Sequence, residues 1–282
     1  MFTEFKSIFQ NEINVLSIVA TISAISVIIS SLEWLSLHKQ FRDDGIYSWP
    51  IRKSRTKYLL NGFFSGFFNT VFKYPNVLFL IGAKLFFSIV ILFSIGNIPL
   101  LTISSAVIAF SSILLSFRGL SGFSGADQMS KITFTTLSLC LISLSPLVLK
   151  IGLLFLSGQL IIAYSTAGWL RIIQPTWRNG SDLLLVIRQH TYGNKLIWDK
   201  ARVYPAISKY ASLTILIFES SILFALFLPL NYFLLYLCLG VLFHLLNAII
   251  MGLNTFFWTF LATYPAIIWT CIQLNHYIYK VH

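Results

Sequence analysis

Ionisable and amide side chains set in apolar sequence are the places to look for chemistry, because each costs free energy in an apolar environment unless it is paired. Glu219 stands in the run Ile217-Phe218-Glu219-Ser220-Ser221 with no basic residue three or four positions away. It therefore needs a partner from another segment, or a proton. His244 and Asn247 are three positions apart and share one face of any helix that carries them. A carboxylate and an imidazole at one depth can share a proton, which lifts the cost of leaving either charged in lipid. Glu219, His244 and Asn247 are thus the candidate catalytic group. Arg171 closes an apolar block, where its planar fork suits a carboxylate or a lipid phosphate. With Trp177 and with Asp127, next to the glycine-rich stretch 119–125, it makes the candidate substrate-binding set. Lys84, inside another apolar block, is expected to snorkel toward the interface. Each of these residues also has a structural reading. Glu219 can be polar glue between helices, and His244 with Asn247 a simple interhelical hydrogen-bonding pair.

Several chemistries find no support. No zincin, P-loop, dinucleotide-binding or nucleophile-elbow pattern occurs, so no metal site is expected and no cofactor is named. Cys140, Cys238 and Cys271 lie in apolar blocks, without disulfide or metal-ligand spacing, and read as small hydrophobes in helix packing.

The elements that must position these residues follow from composition. Of 282 residues, 57% are hydrophobic and 10% charged, and the mean hydropathy is +0.81. Soluble domains carry roughly 25% charged residues, and disordered chains are poor in apolar ones, so both classes are excluded. The apolar residues fall into blocks of about 18–22, the length of a membrane-crossing helix. Blocks at about 13–32, 76–95, 98–117, 132–149, 151–172, 211–230, 232–253 and 255–273 predict an all-α polytopic bundle of eight crossings in a single membrane domain. The first block is too long for a signal-peptide core and reads as an uncleaved span. The short Phe-rich segment 58–72 reads as an interfacial or re-entrant helix, with Gly62 and Gly66 in GxxxG spacing. A short turn near Pro229 makes the sixth and seventh spans antiparallel neighbours. Glu219 and His244 then lie at similar depth, about 16–20 Å from one face.

The net charge is +11. With no soluble domain to carry a basic patch, this points to membrane lipids and not to nucleic acid. Sixteen basic residues fall in 33–75, the loop 118–131 and 171–210, whereas Lys6, Lys150 and Lys280 fall on the opposite side. The positive-inside rule places the rich regions in the cytoplasm and both termini outside. A cysteine at Asn179 or Lys53 should then resist an impermeant thiol reagent applied to intact cells; ready labelling of either inverts the topology.

Several segments, in order over about 45–265, resemble the HTTM-domain family, relatives of the vitamin K-dependent gamma-carboxylase. Tyr164-Ser-Thr-Ala-Gly168-Trp-Leu-Arg171, running on to Trp177-Arg-Asn-Gly180, resembles the family's signature of Tyr, Ala-Gly, a Lys-containing turn, Trp and Gly. Phe218-Glu219 occupies the place of an acidic residue in the next family helix, and Phe243-His244-Leu-Leu-Asn247 resembles a Phe-His-x-x-Asn helix. Gly45-Ile-Tyr-Ser-Trp49-Pro50 and Gly125-Ala-Asp127-Gln128 also fit. Within the family the chain is most similar to the bacterial sporulation-delaying protein B branch. That resemblance implies a multi-pass protein of the bacterial cytoplasmic membrane that helps to mature an exported peptide toxin. Its implied partners are a secreted peptide precursor and a small accessory protein. A membrane transporter or exporter, and a non-catalytic immunity or scaffold protein, are the alternatives. One departure matters. The carboxylase's catalytic lysine aligns with Leu170 or Arg171, and arginine does not release its proton. The resemblance therefore does not imply vitamin K-dependent carboxylation.

Overall fold

The computed structural model describes residues 7–55, 65–94, 96–119 and 124–279. Among them the α-helices are, in order, α1 (Glu12–Ser36), α2 (Trp49–Arg55), α3 (Ser65–Phe72), α4 (Val77–Phe93), α5 (Ile98–Arg118), α6 (Gly125–Ser143), α7 (Pro146–Ile172), α8 (Pro175–Arg178), α9 (Ser181–Arg188), α10 (Lys195–Val203), α11 (Pro205–Ala225), α12 (Leu230–Met251) and α13 (Asn254–Tyr279). No strand occurs among the described residues. This is the outcome expected where a backbone must satisfy its own hydrogen bonds. Residues 58–64, with Gly62 of the GxxxG pair, lie outside the described residues.

Six helices, α1, α5, α7, α11, α12 and α13, are long and apolar enough to cross a membrane. Apolar side chains also cover outward faces. Phe79, Phe86 and Phe93 recur every seventh residue along α4 and are 77%, 61% and 81% exposed. Such a stripe is costly in water and ordinary in lipid. The chain is a multi-pass all-α membrane protein.

The count departs from eight at two places. The first is α3 and α4, which bend by 72° at their junction and together make at most a seventh crossing. The second is α6, which is rich in Ser and Thr and carries Asp127, Gln128 and Lys131. Thr133, Thr135, Thr136 and Ser138 return their hydroxyls to the carbonyls of Met129, Lys131, Ile132 and Phe134. The helix thus satisfies these hydroxyls internally while packing on α5. The expected block 132–149 is also cut earlier than Lys150. Leu144 adopts φ 51°, and Pro146 begins α7, where a missing N–H costs nothing. Lys150 therefore belongs to the first turns of α7.

Residues Ala20–Leu149 form one compact unit, and Met1–Val19 with Lys150–His282 form the other. In the first unit α5 packs on α4 and α6. Its start is fixed by Asn97, whose side chain accepts from the Leu100 N–H. Its end is fixed by Arg118. The sequence places Arg118 in an exposed cytoplasmic loop, but it is the last residue of α5 and only 2% exposed. Its guanidinium donates to the carbonyls of Phe41, Tyr47 and Phe72 and lies 5.3 Å from the Phe41 ring. One buried cation thereby ties the last carbonyl of α3 to two carbonyls of the connection between α1 and α2.

In the second unit, α8, α9 and α10 all pack on α11, and α12 packs on α11 and α13. The α12–α13 turn is two residues long and begins with Gly252 at φ 72°. A buried hydroxyl pair, Ser157 and Thr270 at 2.8 Å, ties α7 to α13.

Candidate functional site

The site is built from α7 outward. Tyr164, Gly168 and Arg171 stand at i, i+4 and i+7 and so share one face of α7. That face meets α11 at Gly168. A Cβ there would lie 2.5 Å from the Ser220 nitrogen and 2.7 Å from the Glu219 carbonyl carbon, both backbone atoms that cannot yield. Only glycine permits this crossing. Trp169 strengthens it by donating its indole N–H to the Ser220 carbonyl at 3.1 Å. A second close approach follows at Gly180. It combines φ 84° with a position where a Cβ would lie 2.5 Å from the Lys209 nitrogen. Between the two glycines, Ser212 donates its hydroxyl to the Trp177 carbonyl at 2.5 Å. The segment 168–180 is therefore laid along α11 and held at both ends.

This clamp brings Arg171 to Glu219. The two form an ion pair through Nη1 and Oε2, and the guanidinium lies 4.8 Å from the Trp177 ring centroid. The partner that the sequence demands for Glu219 is thus supplied from another helix. Glu219 and His244, expected to share a proton, have different partners: Glu219 pairs with Arg171, and His244 pairs with a tyrosine.

His244 on α12 is buried. Its Nε2 lies 2.6 Å from the Tyr164 hydroxyl, which is in turn 3.1 Å from the Tyr264 hydroxyl of α13. The imidazole stacks on Phe260 at 4.7 Å and leans on Phe243 at 5.0 Å. Its Nδ1 is buried and makes no hydrogen bond with the described residues. One ring nitrogen is thus committed to the tyrosine chain, and the other is enclosed without a hydrogen-bond partner among the described residues. If Tyr164 donates to Nε2, the neutral ring offers an Nδ1–H donor. If Nε2 donates, Nδ1 is an acceptor and a base.

These groups line one cavity of about 320 Å³, bounded by Tyr164, Arg171, Trp177, Glu219, His244 and Asn247, with apolar walls from Phe243, Phe256 and Phe260. Five of the six sequence candidates thus meet at a single place. Asn247 reaches it one turn beyond His244, while its carbonyl accepts from the Leu253 N–H at the end of α12. The sixth, Asp127, does not line this cavity. It belongs to the other unit and is the third residue of α6, not a loop residue. There it forms a capping box with Ser124, whose hydroxyl accepts from the Asp127 N–H while the carboxylate accepts from the Ser124 N–H.

Two site residues escape a sequence reading based on charge. Tyr164 and Tyr264 are aromatic residues in apolar helices, indistinguishable by type from interfacial tyrosines. The available signal for Tyr164 is its seven-residue spacing from Arg171.

No family model, curated protein or solved structure matches this chain.

Proposed function

We propose that the protein is an HTTM-type membrane protein, of the branch resembling sporulation-delaying protein B, that matures an exported peptide toxin. Its α6 and its α3–α4 pair would complete eight crossings. The cavity between α7, α11, α12 and α13 is where the precursor is acted on. One observation carries this reading. Arg171, Trp177, Glu219, His244 and Asn247, far apart in sequence, converge with Tyr164 on one pocket.

The pocket's composition suits a peptide. Phe243, Phe256 and Phe260 offer apolar surface to an apolar segment. Arg171, whose side chain is 31% exposed, can bind a peptide carboxylate beside Glu219 while keeping its place over Trp177. His244, fixed by Tyr164 and packed between two phenylalanines, is the proton-handling group of this reading.

A secreted product should then depend on this protein. Peptides in the medium and in the membrane should be compared by mass spectrometry in cells carrying the encoded precursor, with and without this chain. The expected result is loss of the mature peptide from the medium and retention of unprocessed precursor. Mature peptide accumulating inside the cell would indicate an exporter, and unchanged peptide would contradict both roles.

A further inference from the structure

The helices α8, α9 and α10 are each too short to cross a membrane, and the stretch that carries them is tied at both ends to helices that are long enough, α7 and α11. α9 and α10 pack on each other and on α11. The turn between them is closed by the Asn194 N–H, which donates to the Ile187 carbonyl at 3.0 Å. The Asn194 side chain then accepts from the Leu196 and Ile197 N–H groups and starts α10. The pair is thus a built helical hairpin at the membrane face where α7 ends and α11 begins.

The two sides of the hairpin differ. Inward, Ala201 of α10 is buried, and Leu183 and Val186 of α9 line the cavity around His244. Outward, Leu196, Lys200 and Val203 stand at i, i+4 and i+7 and share one face of α10. Leu196 is 76% and Val203 61% exposed. Leu185 of α9, and Tyr192 and Tyr204 on either side of α10, are exposed as well. Basic residues accompany them. Arg178, Arg188, Lys195, Lys200, Arg202 and Lys209 are all exposed, whereas the acidic residues of 175–210 are Asp182 and Asp199. Arg188 and Arg202 converge on the Trp198 ring, 5.7 and 4.6 Å from its centroid. Asp199 offsets one of them, at 3.3 Å from Arg202, and Asp182 accepts from the Thr176 hydroxyl at 2.6 Å. Six cations against two carboxylates leave a surplus of four positive charges beside exposed apolar side chains. That combination marks a surface made for contact and not for water.

We infer that the outer face of the α9–α10 hairpin docks on the anionic phospholipid surface of the membrane that the chain crosses. Leu196 and Val203 enter the boundary between headgroups and acyl chains, Lys200 reaches from the same face to the headgroups, and the tyrosines sit at headgroup level. The charge surplus fits an anionic surface and repels a second copy of the same face. An acidic protein offers the same complementary charge. The membrane, however, is already within reach, because α7 and α11 hold the hairpin at its surface and raise the effective concentration there without a further partner. Since α9 turns its other side to the His244 cavity, docking also steadies one wall of that cavity.

The test uses the full chain in nanodiscs of phosphatidylcholine, alone or mixed with phosphatidylglycerol. Amide hydrogen exchange over 181–204 should slow by about fivefold or more when phosphatidylglycerol is present, with exchange in α12 unchanged. High salt should remove the difference. Lys195→Gln/Lys200→Gln should remove most of it, and so, separately, should Leu196→Ser/Val203→Ser. All four side chains are exposed, so neither variant opens the packed side of the hairpin. Equal exchange in the two lipid compositions, or a slowing that both variants retain, overturns the docking surface. Protection found in native membranes but absent from discs of purified lipid assigns the face to a protein partner and overturns it as well.

Discussion

Arg171→Ala is expected to destabilise the protein by about 3–5 kcal/mol, because it strands a buried carboxylate. The Glu219 side chain is 4% exposed and that of Arg171 is 31% exposed, so the two halves of the pair are not equivalent. Without Arg171, Glu219 must take up a proton or remain charged in a pocket walled by phenylalanines. Without Glu219, the guanidinium keeps Trp177 and reaches the polar edge of the cavity. Glu219→Gln should therefore cost less, about 1–2 kcal/mol. The double variant Arg171→Ala/Glu219→Gln should recover most of the loss, since no buried charge is left unpaired. Arg171→Lys should fall between, keeping the charge and losing the planar fork. Unfolding of the purified chain in detergent measures all four variants. Equal losses from the two single substitutions, or a loss below about 0.5 kcal/mol for Arg171→Ala, would show that the pair does not hold α7 to α11.

Much of this arrangement is legible in residue types and spacing alone. Glu219 lacks a local cation, so a partner from another helix is required, and Arg171 proves to be that partner. The three-residue spacing of His244 and Asn247 places both on the cavity face of α12, and the short connection at 226–229 makes α11 and α12 neighbours. Other features stay hidden because they depend on long-range approach. Apolar blocks look alike whether they face lipid or protein. Thus Phe79 and Leu153 are equivalent in sequence, though one is 77% exposed and the other fully buried. Gly168 and Gly180 read as motif positions, whereas their physical reason is contact with the backbone of α11. Arg118 counts as a loop charge under a charge-bias rule and Lys84 as a snorkelling one, yet both are buried. The break at Leu144 is missed because Leu has no preference for positive φ. Pro146 is the readable mark of a new helix start.

The central claim is that the pocket around His244 matures the secreted peptide, and His244→Ala tests it most directly. The histidine is packed by Phe243 and Phe260 and hydrogen-bonded by Tyr164, so its ring is oriented before any ligand arrives. Removing a positioned acid–base group lowers turnover by roughly 10²–10⁴-fold. Tyr164→Phe retains the ring and removes only the hydroxyl that fixes Nε2. It should leave a partial defect, whereas His244→Ala leaves none of the proton-handling group. The measurement is the amount of mature peptide in the medium, by mass spectrometry, at equal membrane levels of each variant. Near-complete loss of product is expected in His244→Ala and an intermediate level in Tyr164→Phe, with normal amounts of both proteins in the membrane. Wild-type levels of mature peptide from His244→Ala would contradict the claim.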